Sequence, residues 1–166
     1  MRRAVVVLHI GAAGAWIGID VMVAVLVTAG WVGDDPATRS AAYQALGRFA
    51  VAPMLVSALL CAMSGLVLGI TSKWGLARYR WVLVKLVITL VLCTLIVVAL
   101  RPGMGKVTAA GVTIAEGGTP AMDLTTLFSP PAVSLSALTV AVVLSVYKPW
   151  GRVRQRHAAR QTRPDW

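Results

Sequence analysis

Charge is what this chain has least of. Asp, Glu, Lys and Arg make up 13% of its 166 residues, against about 25% in an ordinary soluble domain. That scarcity excludes a conventional water-soluble surface. Cysteine is nearly absent too: Cys61 and Cys93 have no CxxC spacing and no neighbouring histidine. They point to no zinc site or redox motif and read as small, apolar-compatible packing residues. No P-loop, Gly-rich dinucleotide pattern or serine-hydrolase constellation is present. The longest segment between apolar runs is about 30 residues, too short for a separate soluble core.

What the chain does have is length in its apolar runs. Four stretches approach the roughly 20 residues that cross a bilayer core of about 30 Å. They span residues 4–28, 49–70, 81–100 and 130–147, the last extended by Leu127 and Phe128. The fold expected is an all-α integral membrane protein, an antiparallel four-helix transmembrane bundle of one domain. The Met-Arg-Arg start resembles a secretory signal, but the apolar run is long and is interrupted by His9 and Asp20. It is therefore expected to stay as an uncleaved first span.

The net charge of +10 suggests nucleic acid at first sight, but its distribution argues for topology instead. With the N-terminus inside, eleven basic residues lie on the inner side: Arg2 and Arg3, three in residues 71–80, and six in the tail 148–166. Only Arg39, Arg48, Arg101 and Lys106 lie outside, together with the loop acids Asp34, Asp35, Glu116 and Asp123. This is the positive-inside pattern. It predicts both termini cytoplasmic in a bacterial cytoplasmic membrane, with the basic tail near anionic lipid headgroups and no nucleic-acid partner.

Local signals add detail. Asp35-Pro36 reads as an N-cap followed by proline at the first helical position. A short outer helix from residue 37 is expected to run into the second span, with Pro53 as a kink. Residues 101–129, rich in Gly and Thr, are expected to form an outer loop. Pro130 and Pro131 suit the start of the fourth helix. Gly11, Gly14 and Gly18, and Gly65 with Gly69, form small-residue tracks for helix contact, and Ser57, Cys61 and Ser64 share one side of the second span.

Three ionisable residues inside the apolar runs carry the functional interest, because a charge at membrane depth is costly. His9 and Asp20 are eleven residues apart, on nearly one face and about 16 Å apart along the axis. Trp16 falls on the same face. Lys85 lies one turn past Trp81, about 6 Å inside the inner interface at 1.5 Å per residue. His9 enters from the same side to similar depth, so His9 and Lys85 are expected to share one inner pocket. Asp20 lies nearer the outer surface and is expected to form a structural ion pair with Arg48 or Arg101. Plain alternatives stand beside each: a snorkelling Lys85, and a His9 bonded to a carbonyl or serine within the bundle.

The pattern Leu8-His9-Ile10 with Trp16-x-Gly18, and the segment Trp81-x-x-x-Lys85-Leu86, carry a resemblance. They resemble a superfamily of small bacterial membrane proteins. It includes haem-containing, oxygen-independent protoporphyrinogen oxidases, copper-resistance D-type proteins and uncharacterised four-span relatives, the last being the nearer likeness. The resemblance implies a bundle binding haem b, with His9 as a ligand to the haem iron, Lys85 facing a propionate and Trp16 packing on the ring. Where the oxidases usually carry a further histidine, this chain has Leu83, and its one other histidine is His157 in the tail. Copper would call for several soft Met, Cys or His ligands, whereas Met22, Met54 and Met63 are scattered. The residues leave open a tetrapyrrole-binding or redox protein, a proton-coupled small transporter, and a non-catalytic accessory or assembly subunit of a membrane complex. The partners expected are the bilayer and either further copies of the chain in a homo-oligomer or a larger membrane complex.

Overall fold

A computed structural model describes residues 2–71 and 80–147. The inner loop, the basic tail and His157 lie outside the described residues. Six α-helices follow in order: α1 (Arg2–Val32), α2 (Pro36–Phe49), α3 (Val51–Thr71), α4 (Arg80–Leu95), α5 (Arg101–Ala115) and α6 (Ser129–Tyr147). A π-helical turn, Ile96–Leu100, joins α4 to α5, and a 3-10 turn, Leu124–Phe128, leads into α6. Four helical stretches are long and apolar enough to cross a membrane: Arg2–Val32, Val51–Thr71, Trp81–Ala115 and Leu124–Tyr147. Large apolar side chains such as Val7, Ile10, Val25, Val98 and Val146 point outward, as a lipid-facing surface requires.

Each element has a local cause. Asp35 caps α2, its carboxylate accepting from the Ala37 N–H at 3.2 Å and the Thr38 N–H at 3.0 Å. These two bonds hold its carboxyl below the ordinary carboxylate range. The break between α2 and α3 falls at Ala50, three residues before Pro53. Proline has no N–H to return to the carbonyl four residues back, and its ring crowds that carbonyl. The interruption therefore precedes the proline that causes it.

Residues 101–115 are helical, not loop. The glycines and threonines that suggest a loop are used for packing, and Pro102 sits in the first turn of α5, where no N–H is needed. The widened π turn just before it, closed by the Arg101 N–H on the Ile96 carbonyl, accommodates the proline without ending the helix. Only residues 116–123 remain non-helical, opened by Gly117 at φ 78°.

The α1 face that packs inward carries His9, Ala12, Trp16, Asp20, Val23, Val27 and Gly30. These recur at three and four residues, the spacing of a helix seam. The expected glycine track on α1 does not pack: a Cβ added at Gly11, Gly14 or Gly18 meets nothing within 4 Å. Close approach occurs elsewhere. Gly30 lies under the Tyr43 ring, and Gly47 and Gly111 let α2 and α5 touch through their backbones near Met104 and Ser40. The chain order of these contacts, Gly47 against Thr108 and Gln44 against Gly111, means that α2 and α5 run in opposite directions. α1 contacts α2, α3 and α6, while α4 contacts α3 and α6.

Candidate functional site

His9 and Lys85 do line one cleft, of about 270 Å³, between α1, α3 and α4. Arg2 and Trp81 also line it, and Val6, Leu68 and Leu86 are among its apolar walls. His9 gets there because it begins the buried seam of α1. Its ring is seated on Gly65, where an added Cβ would come within 3.0 Å of Cε1.

The hydrogen bonds of His9 decide its tautomer. Nδ1 lies 3.1 Å from the Cys61 carbonyl and 3.0 Å from Ser64 Oγ. A carbonyl can only accept, so Nδ1 carries the proton. The Ser64 hydroxyl is already donating to the Leu60 carbonyl at 2.5 Å and accepts from Nδ1 as well. The expected carbonyl and serine partners of His9 are thus both present. Among the described residues Nε2 has no partner, which leaves its lone pair to the cleft.

Lys85 reaches across to α6, where Nζ donates to Ser145 Oγ at 2.7 Å. Ser145 in turn donates to the Ala141 carbonyl. The ammonium also lies 5.5 Å from the centre of the Trp81 ring, within cation–π range. Lys85 is therefore held at the cleft by an aromatic face and a hydroxyl.

Trp16 does not belong to this site. Its side chain is 0% exposed and sits in the core, with Nε1 buried and unpartnered. It lines neither the His9 cleft nor the second cavity described below. The seam that points Trp16 inward places it between the two.

Asp20 is 1% exposed and makes no ion pair with Arg48 or Arg101, whose side chains are exposed. Its partner is Ser134, whose Oγ donates to Oδ2 at 2.5 Å. The correction has a simple cause: the seam turns Asp20 toward α6, away from the two arginines. Sequence reasoning passed over Ser134 and Ser145, yet these α6 serines are eleven residues apart, the spacing of His9 and Asp20 on α1. That matched spacing was the available signal.

The haem that the resemblance implies would find one axial ligand in this cleft. His9 offers one imidazole nitrogen backed by a carbonyl, a common arrangement for a metal ligand. Among the described residues His9 is the only histidine, so they offer no second imidazole for a bis-histidine haem. No family model, no curated protein and no solved structure matches this chain.

Proposed function

We propose that this protein is a multi-pass membrane protein of the bacterial cytoplasmic membrane that binds a ligand with an anionic head and an apolar body in the His9–Lys85 cleft. One observation carries this reading: Lys85, His9 and Arg2 all line a single cleft whose remaining lining, with Val6, Leu68, Val82 and Leu86, is mainly apolar. Lys85 supplies a fixed positive charge. Nε2 of His9 accepts an acid proton from the head or, once protonated, donates to it. The apolar walls take the chain of a lipid, a fatty acid or a similar amphiphile.

The setting supports the same reading. An antiparallel, up-and-down bundle with both termini cytoplasmic is consistent with His9 beside Ser64, Asp20 beside Ser134 and Lys85 beside Ser145. It also satisfies the positive-inside distribution of basic residues. The cleft then opens in the inner leaflet, where anionic headgroups are plentiful.

Binding of dansylaminoundecanoate to the purified protein in nanodiscs tests the proposal. Saturable binding should weaken by about tenfold or more in Lys85→Met, the loss expected when one partner of a desolvated charge is removed. Binding unchanged in a Lys85→Met, His9→Ala double variant sinks it. A Soret band in protein from haem-replete cells, lost in His9→Ala, would overturn it in favour of haem b.

A further inference from the structure

A second chamber, of about 410 Å³, lies at the opposite end of the α1 seam, between α1, the α4–α5 turn and the start of α6. It shares no lining residue with the His9 cleft. Its floor holds Asp20, and the walls beside it are apolar: Val23, Met54, Leu92, Ile96 and Val107. The π turn runs along its wall, through Ile96, Ala99 and Leu100; such turns often mark functional positions.

The carboxylate is only half satisfied. Ser134 serves Oδ2, while among the described residues Oδ1 accepts no hydrogen bond. Nor is it sealed away, since among the described residues the buried side-chain atoms without a partner are Trp16 Nε1 and Tyr43 OH. Oδ1 is thus reached from the chamber. Lys106 is the one other ionisable group lining it; it is exposed and forms no ion pair with Asp20. A carboxylate facing an apolar chamber lacks the partner that such a charge requires.

We propose that the Asp20–Ser134 chamber is a binding site for a lipophilic ammonium, a protonated amine carried on a compact apolar body. The ammonium donates to Oδ1 and offsets the charge. The hydrocarbon replaces empty space against Val23, Met54 and Leu92. Exposed Leu95, Ala99 and Val133 make one side of the rim apolar, while Lys106, Thr126 and Ser129 make the other polar, so the ligand enters with its hydrocarbon along the apolar side. The chemistry is opposite to that of the His9–Lys85 cleft, and neither proposal depends on the other.

The test compares adamantylamine with adamantanol, which share a body and differ in charge, by calorimetric titration of the protein in nanodiscs near neutral pH. The amine should bind at least about tenfold more tightly, the scale of a desolvated charge contact, and Asp20→Asn should erase that preference. Gly103→Leu should weaken amine binding by a similar factor. Gly103 lines the chamber and has open space at its Cβ, so this variant fills the site and leaves the packing alone. It remains decisive if Asp20→Asn does not fold. Equal binding of amine and alcohol, no binding of either, or amine binding unaffected by Gly103→Leu overturns the proposal.

Discussion

At the scale of single residues, what matters is which atoms are already committed. His9 has spent its Nδ1 proton on Cys61 and Ser64 and keeps Nε2 for the cleft. The seat beneath it is Gly65, so Gly65→Ala puts a methyl group 3.0 Å from Cε1. The ring is the free end of a flexible side chain and gives way, while the helices stay in place. We expect Gly65→Ala to fold with an unchanged unfolding midpoint and to bind the dansyl probe several-fold more weakly, since roughly 1 kcal/mol of lost contact is a factor of about five. Unchanged binding would show that the ring position is irrelevant to the cleft.

The ionisable residues were legible because charge at membrane depth is rare, and the depth argument brought His9 and Lys85 together correctly. Trp16 and the partner of Asp20 were not legible. One helical face cannot say how far an indole reaches into the core. Nor does it say whether a carboxylate meets an arginine at the rim or a serine inside. Only the packing of α6 against α1 answers that, and the serines gave no sign beyond their spacing.

At the scale of elements, the same residue type plays opposite parts within one helix. Gly105 on α5 has open space at its Cβ, whereas a Cβ at Gly111 meets the Ser40 carbonyl at 2.9 Å and the Gln44 backbone nitrogen at 3.0 Å. Gly105→Ala should stabilise by up to about 1 kcal/mol through helix propensity. Gly111→Ala should destabilise by about 1–3 kcal/mol, because α2 and α5 must separate. Unfolding in mixed micelles measures both, and the same sign for the two would refute the packing described. This is also why α5 looked like a loop: its glycines are contact surface, and composition alone cannot separate contact from flexibility.

The cap of α2 gives a pH-dependent counterpart. Asp35 is held below its ordinary pKa by the Ala37 and Thr38 amides, so its charged form stabilises the folded state. That contribution is fully present above the unfolded value, near 3.9, and fades as pH falls through the lower folded value. Asp35→Ala should therefore melt below the wild type at neutral pH, with the gap closing in the acid range below about pH 4. A gap that stays constant across that window would mean that the cap does not act through its charge.

At the scale of the molecule, two chambers of opposite polarity lie along one seam, with Trp16 filling the interval. The His9 cleft gathers cationic side chains at one end of the bundle, and the Asp20 chamber presents an anion toward the other. Which end faces which compartment is an expectation from the sequence: the segments expected on the His9 side hold eleven basic residues, against four in those expected with Asp35 and Glu116. That asymmetry predicts orientation because short basic segments resist translocation. Cys61 and Cys93 are the only thiols, and Cys61→Ser with Cys93→Ala clears the background. In that background Thr119→Cys, in the exposed turn after α5, should react with a membrane-impermeant maleimide added to intact spheroplasts. Arg3→Cys, at the start of α1, should react only after lysis. The reverse labelling pattern would invert the bundle. The cationic cleft would then face the outer leaflet and the ammonium chamber the cytoplasmic side, so this one measurement fixes the leaflet from which each ligand must come.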